Sequence, residues 1–178
     1  AAMGRRFGED VSMIEDWIST LEAGAATLWN DETGGYDSRD AHTGRFNGVL
    51  SNASALCWYA GINDQRARPA IERMLVACEY GLPSYDPEAE GFESLRYWRG
   101  PTWPIMNYLV GSGLEEQGQH DLAGRIRRDT ARLMEMNGFA EYYDPLSGAP
   151  AGGGSFTWTA AVWLGWAGLS PETRQGAA

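Results

Sequence analysis

Lysine is absent from this 178-residue chain, whose fourteen cationic side chains are all arginine, set against 24 carboxylates for a formal net charge of -10. That balance argues against a nucleic-acid partner, because phosphate binding rests on clustered cations that release counterions. The arginine bias reads as genome composition before salt adaptation. Long apolar runs are missing as well. No segment approaches the length of a membrane-spanning helix, and Ala1-Ala2-Met3-Gly4-Arg5-Arg6 has no apolar signal core, so the expected compartment is the cytoplasm. Cysteine and histidine are scarce. Cys57 and Cys78 read as reduced core residues, and His42 and His120 stand too far apart in sequence to seed a zinc site, so neither metal nor cofactor is expected.

Sustained alternation of apolar and polar residues, the mark of a half-buried strand, is also missing, and an all-α architecture is expected. Helical spacing is plentiful. Val11, Ile14, Trp17, Ile18, Leu21, Ala25 and Leu28 follow the period of an amphipathic helix, with Ser12 and Glu15 offering a capping box at its start. Further helices are predicted over residues 51–60 and 65–79, and from a Thr102 cap to Gln117. A fifth runs through Leu122, Ile126 and Leu133 to Asn137, and a sixth over residues 155–168 has Trp163 and Trp166 packing in the core. At 43% hydrophobic residues the chain can fill one core, and residues 1–178 are read as one domain.

The connections alternate in length. Residues 30–49, 80–101 and 138–154 form long loops, whereas 61–64 and 118–120 are tight turns. If successive helices run up and down, the long loops gather at one end, where structureless stretches are usually functional. Two of them echo each other: Gly35-Tyr36-Asp37 with Thr43-Gly44, and Tyr142-Tyr143-Asp144 with Ser147-Gly148. A repeated helical-hairpin unit and ordinary Asx-turn chemistry account for the echo about equally well.

The chemistry concentrates in two loop segments, Tyr97-Trp98-Arg99-Gly100-Pro101-Thr102-Trp103-Pro104 and Phe139-Ala140-Glu141-Tyr142-Tyr143-Asp144-Pro145. Aromatic faces stack on the C–H face of a pyranose while adjacent polar groups hold its hydroxyls, so this pairing fits a small carbohydrate. A single Trp is more often core than ligand, and the clustering is what moves the balance. Other sites fare worse. Ser112 lacks a strand-to-helix elbow and a histidine beside it, and Gly152-Gly153-Gly154 follows no strand and reads as a flexible loop. Glycoside hydrolysis needs two carboxylates, and Glu141, among Phe139, Tyr142 and Tyr143, is the best candidate for one.

Tyr97 to Pro104 with Asn107, Glu141 to Gly148, and Phe156-Thr157-Trp158-Thr159-Ala160 together resemble the C-terminal half of a glycoside hydrolase family 63 catalytic domain. That family includes bacterial mannosylglycerate and glucosylglycerate hydrolases and is related to trehalases. The matching motifs lie between residues 81 and 166; residues 1–80 share only helical style. The resemblance implies an α-hairpin toroid, here about half of an (α/α)6 barrel, and an inverting, metal-free mechanism. It makes Glu141 the general base and assigns Tyr97, Trp98, Arg99, Gly100, Trp103 and Trp158 to the sugar pocket. Arg99 could instead brace its loop by pairing with a carboxylate.

The chain departs from the family pattern at the general acid, an aspartate in a segment resembling Ser-Gly-x-Asp-x-Ser-Pro-Arg. Asp37, Asp40 and Asp86 share the loop face, but none lies in such a segment. The expectation is therefore an apparent fragment of an inverting α-glycosidase for a small α-glucoside or α-mannoside, inactive as this stretch alone. A half-toroid leaves an apolar flank to be covered by a second copy or by the missing half. The alternative is a carbohydrate-binding or interaction module without catalysis. A toroid epimerase would need loop-face histidines, of which only His42 is available.

Overall fold

The structure is a computed structural model and describes residues 1–169. Seven α-helices run in chain order among these residues: α1 (Ala2–Arg6), α2 (Ser12–Ala26), α3 (Leu56–Tyr59), α4 (Arg68–Val76), α5 (Pro104–Glu116), α6 (His120–Asn137) and α7 (Thr157–Val162). Short 3-10 turns lead into α3 and α4, and α7 passes into a π-helical turn, Trp163–Ala167. The helices predicted from periodicity are thus present, several shorter than expected, while α1 carries no periodic signal and was not foreseen.

Two local expectations fail for identifiable reasons. Ser12 does not cap α2: Asp10 accepts its amide at 2.9 Å, and Glu15 turns away to ion-pair with Arg5 of α1. A capping box does form, at Ser51 and Ser54. Nor does Thr102 cap α5, because its hydroxyl donates to the Tyr80 carbonyl at 2.8 Å while its backbone exchanges hydrogen bonds with Tyr143, leaving Trp103 at the cap position.

The core forms where α3, α4, α5 and α6 present Trp58, Ile71, Met74, Val110, Leu114 and Ile126, closed by Trp166 as expected and partly by Trp163. By contrast α2 buries none of its residues: Ile14, Trp17, Ile18 and Leu21 are between 38% and 72% exposed, so the helix forms as its periodicity predicts while its apolar face is uncovered among the described residues. Cys57 and Cys78 are buried free thiols, and burial pushes both up to about 12.

The tight turns meet at one end, where Gln119 donates to Gln65 at 3.3 Å. Loops 80–101 and 138–154 meet at the other, joined through Thr102 and Tyr143. Asn107 of α5 anchors the first of these from below: its amide accepts from the Leu82 N–H and donates to the Leu82 carbonyl, both at 2.9 Å. A small second core of Tyr80, Leu133, Ala140 and Tyr143 supports the other loop.

Strands are minimal, as the sequence implied, but two hairpins exist: β1 (Trp29–Asn30) with β2 (Gly35–Tyr36), and β3 (Tyr142–Tyr143) with β4 (Pro150–Ala151). The loop echo is more than shared composition. Adding 104 to a residue number carries the first loop onto the second, with Gly34, Gly44 and Gly48 falling on Gly138, Gly148 and Gly152, all six at φ between 68° and 77°. Hydrogen bonds follow the same shift. Asp40 N–H donates to Arg45 O and Gly44 N–H to Asp40 O; Asp144 N–H donates to Ala149 O and Gly148 N–H to Asp144 O, each at 2.9 Å. The counterpart of Asp144 is thus Asp40 rather than Asp37. Asp37 falls on Glu141.

Candidate functional site

Four of the residues singled out in sequence converge. The rings of Trp98 and Trp103 stack at 4.4 Å and 9°, and Tyr142 continues the column on Trp103 at 4.9 Å. Tyr97 stands edge-on against this column, 4.8 Å from Trp103 and 5.5 Å from Tyr142, the favourable geometry for aromatic quadrupoles. Trp103 is buried and its indole N–H donates to the Tyr97 carbonyl at 2.8 Å, whereas Trp98 is half exposed. The column therefore has a fixed base and an open end.

Glu141 sits at the edge of the column. The Tyr97 hydroxyl donates to its Oε1 at 2.8 Å, and among the described residues nothing donates to its Oε2. Beside this carboxylate the Tyr97 phenol is raised above its ordinary value, the hydrogen bond to Glu141 being the main cause and desolvation the next. Tyr97 is also the one non-glycine residue of positive φ among those described, at 21°. A conformation so sparsely used persists where surrounding contacts over-determine it, and such residues gather at functional sites.

Gly152 completes the setting. A Cβ there would lie 2.4 Å from Glu141 Oε2 and 2.6 Å from its Cβ, so only glycine lets the backbone press against the carboxylate's stem. The Gly152-Gly153-Gly154 run read as a flexible loop is thus a packing surface at its first position, and the Gly153 carbonyl accepts the Glu141 N–H at 3.0 Å. Tyr143, next along, is fully buried. Its hydroxyl accepts from the Ala140 N–H at 3.0 Å and donates to the Gly138 carbonyl, so it braces the loop from below.

The remaining expected site residues sit apart from Glu141 or act as structure. Arg99 pairs with Glu93 at 2.6 Å, so the bracing role is the one observed. Gly100 is buried, and a Cβ on it would collide with the Glu93 carbonyl at 2.0 Å, which makes it a packing glycine. Trp158 is 59% exposed and lines a separate apolar cleft of about 400 Å³ with Ile105, Tyr108 and Trp166. Sequence reasoning missed Ser94, whose hydroxyl donates to Asp144 at 2.8 Å, and the packing role of Gly152. Asp144 was legible as a turn residue from its Asp-Pro-Leu-Ser-Gly context; a lone serine in a long loop carries no signal.

The first long loop does not gather opposite the tight turns as expected, since its Tyr36 hydroxyl donates to Asp64 of the turn 61–64 at 3.0 Å, and the other loop carboxylates are occupied as braces. Asp37 Oδ2 accepts from Asn30 Nδ2 at 2.9 Å and from the Gly48 N–H at 2.8 Å, Asp40 closes its turn on Thr43, and Asp86 pairs with Arg73 at 3.0 Å. Among the described residues no group of three or more His, Cys, Asp and Glu could hold a metal. No helix among them is long and apolar enough to cross a membrane.

Comparison with known proteins identifies relatives of the chain. The family model of the mannosylglycerate hydrolase MGH1-like glycoside hydrolase domain matches residues 1–159, reaching well upstream of the motif-bearing residues. A mannosylglycerate hydrolase of Selaginella moellendorffii, MGH1, is 41% identical over 161 residues, covering 88% of this chain and 33% of its own length. A glucosylglycerate hydrolase of Mycolicibacterium hassiacum is 38% identical over 171 residues, covering 89% of this chain and 38% of its own. The crystal structure of a family 63 mannosylglycerate hydrolase from Thermus thermophilus in complex with glucose superposes with a TM-score of 0.87 at 41% identity, over 93% of this chain and 40% of that one. The chain thus spans about a third to two fifths of the length of these relatives.

Proposed function

The chain belongs to the mannosylglycerate hydrolase MGH1-like glycoside hydrolase domain family, and from that premise we propose that it is part of an inverting α-glycoside hydrolase with Glu141 as general base. The substrate is a small α-glucoside or α-mannoside such as glucosylglycerate or mannosylglycerate, the compounds for which the relatives are named. Glu141 takes the proton of the water that attacks the anomeric carbon. A carboxylic acid about 6.5–9.5 Å away protonates the leaving oxygen, a separation that leaves room for that water. In this reading the acid belongs to a segment outside the 178 residues. The architecture is about half of an (α/α)6 toroid, and the uncovered apolar face of α2 is where the remainder, or a second copy, packs.

The observation that carries the reading is the Tyr97–Glu141 contact at the edge of the Trp98–Trp103–Tyr142 column. Tyr97 fixes one carboxylate oxygen and leaves the other to receive a proton, while the exposed face of Trp98 offers a stacking surface for a pyranose. Trp103 and Gly100 act behind that surface, while Trp158, in its own apolar cleft at the first turn of α7, offers a second apolar face for the part of the substrate beyond the stacked sugar. In a gene product that includes the acid-bearing segment, Glu141→Gln is expected to lower kcat by roughly 10²–10⁴ with little change in KM. Steady-state hydrolysis of both glycerate glycosides measures this, and turnover retained in the variant rules the assignment out.

A second reading applies to these residues in isolation. Asp37, Asp40, Asp86 and Asp144 are all engaged as braces, so the described loop face offers Glu141 no aspartate partner. The 178-residue chain on its own is then a sugar-binding module that does not turn over. Calorimetric binding of the glycoside with no product formed is its signature.

A further inference from the structure

Four residues close a ring between the two functional loops. Asp144 divides its carboxylate: Oδ1 accepts the amides of Leu146 at 2.8 Å and Ser147 at 3.3 Å, closing the turn, while Oδ2 accepts the Ser94 hydroxyl at 2.8 Å across fifty residues of sequence. Three residues after Ser94 stands Tyr97; three residues before Asp144 stands Glu141, and these two are hydrogen-bonded at 2.8 Å. The contacts Ser94–Asp144 and Tyr97–Glu141 thus fasten the same two short segments at both ends, so fixing one restricts the other. Between them the chain passes through the positive φ of Tyr97, a conformation that needs external support.

Comparison with the matching loop isolates what is added here. Asp40 closes its turn as Asp144 does, through the amides of His42 at 3.0 Å and Thr43 at 2.6 Å, but its other oxygen accepts nothing among the described residues. The turn is therefore complete without a second tie. The Ser94 bond is an addition confined to the loop that carries Glu141.

We propose that the Ser94–Asp144 contact is a clasp that holds the Tyr97 hydroxyl against Glu141, making Ser94 and Asp144 positioning residues for that carboxylate. Its catalytic meaning rests on Glu141 as general base; the clasp itself does not. Ser94 acts through its hydroxyl and makes no other side-chain bond among the described residues, so its removal leaves the Asp144 turn and the cores intact. The titratable groups that face Tyr97 are Glu141 and Tyr142, and the bond to Glu141 is what chiefly raises its phenol.

Spectrophotometric titration of tyrosine ionisation in the 178-residue chain, with the Tyr97→Phe curve subtracted, isolates Tyr97. Ser94→Ala is expected to bring that titration down toward the free phenol at about 10, whereas Ser94→Thr, which keeps a hydroxyl, leaves it raised. An unchanged Tyr97 titration in Ser94→Ala, with Glu141→Gln lowering it, overturns the clasp, since the pair then holds itself. A titration that Glu141→Gln fails to lower overturns it too, because there is then no pair to hold. Circular dichroism matching the wild-type spectrum shows that each variant is folded. No arm reads turnover, so retained hydrolysis in Glu141→Gln would defeat the base assignment while leaving the clasp standing.

Discussion

The two matched loops share a turn backbone and differ in what they do with one carboxylate. In the first, Asp37 is 3% exposed; its Oδ2 accepts two hydrogen bonds, and its Oδ1 is buried with no partner among the described residues. In the second, at the same position, Glu141 is partly exposed, takes one hydroxyl from a distant loop and keeps an oxygen open. One methylene and the neighbouring residues separate the outcomes. Asp37 is short enough to reach its own turn at the Gly48 N–H, where it is consumed as a brace. Glu141 rests its stem against the Gly152 backbone and keeps its Oε2 free of donors among the described residues. A shared turn therefore serves as a scaffold, and whether its acid is held inside the turn or meets a distant loop is decided by side-chain length and by what packs above it.

The contrast is broken most forcefully at the acids themselves. Asp37→Ala leaves Asn30 Nδ2 and the Gly48 N–H without their acceptor and is expected to cost about 2–6 kcal/mol, at roughly 1–3 for each orphaned group. Glu141→Ala, removing a partly exposed group, should stay within about 0.5 kcal/mol. Urea unfolding of the two variants measures the difference, and equal losses would show that both acids are braces.

A smaller effect is expected at the paired glycines. Gly48 and Gly152 have φ of 77° and 74°, so alanine at either is strained by about 1–2 kcal/mol. A Cβ on Gly48 meets nothing within 4 Å, whereas one on Gly152 meets Glu141. Melting temperatures should fall in both variants, but only Gly152→Ala should displace the Tyr97 titration. The smallest effect concerns acid. Asp64 accepts the Tyr36 hydroxyl at 3.0 Å beside the first hairpin, and its hydrogen bonds from Arg66 hold its carboxyl down at about 2. A depressed carboxyl contributes stability that is present above its unfolded value of about 3.9 and lost as pH falls from there toward 2. Amide protection factors should therefore fall in residues 29–48 before residues 133–152 as pH drops through that window.

Much of the fold was legible because helices are local. The period of α6 and α4, the glycine after α5 and the Asp-x-x-Ser/Thr-Gly turns are written in neighbours a few residues apart, where sequence spacing and contact coincide. Misreadings arose where a side chain found a different partner. Ser12 lost its cap to Asp10 and Glu15 to Arg5, and Thr102 was drawn into a bridge with Tyr143. The hairpin echo was visible as composition, but its register was misjudged by three residues at Asp37, because only the hydrogen bonds show which aspartate closes the turn.

The sequence by itself determined the helical class, the aromatic column's ingredients and Glu141 as the carboxylate to watch, since each depends on residue type and short spacing. Tertiary structure decided that Tyr97 reaches Glu141 across 44 residues and Ser94 reaches Asp144 across 50, that Arg99 braces while Trp98 faces outward, and that Asp37 is spent inside its own turn. The physical reason is the range of the contacts. A hydrogen bond between loops depends on how the helices beneath them pack, and no local pattern encodes that distance.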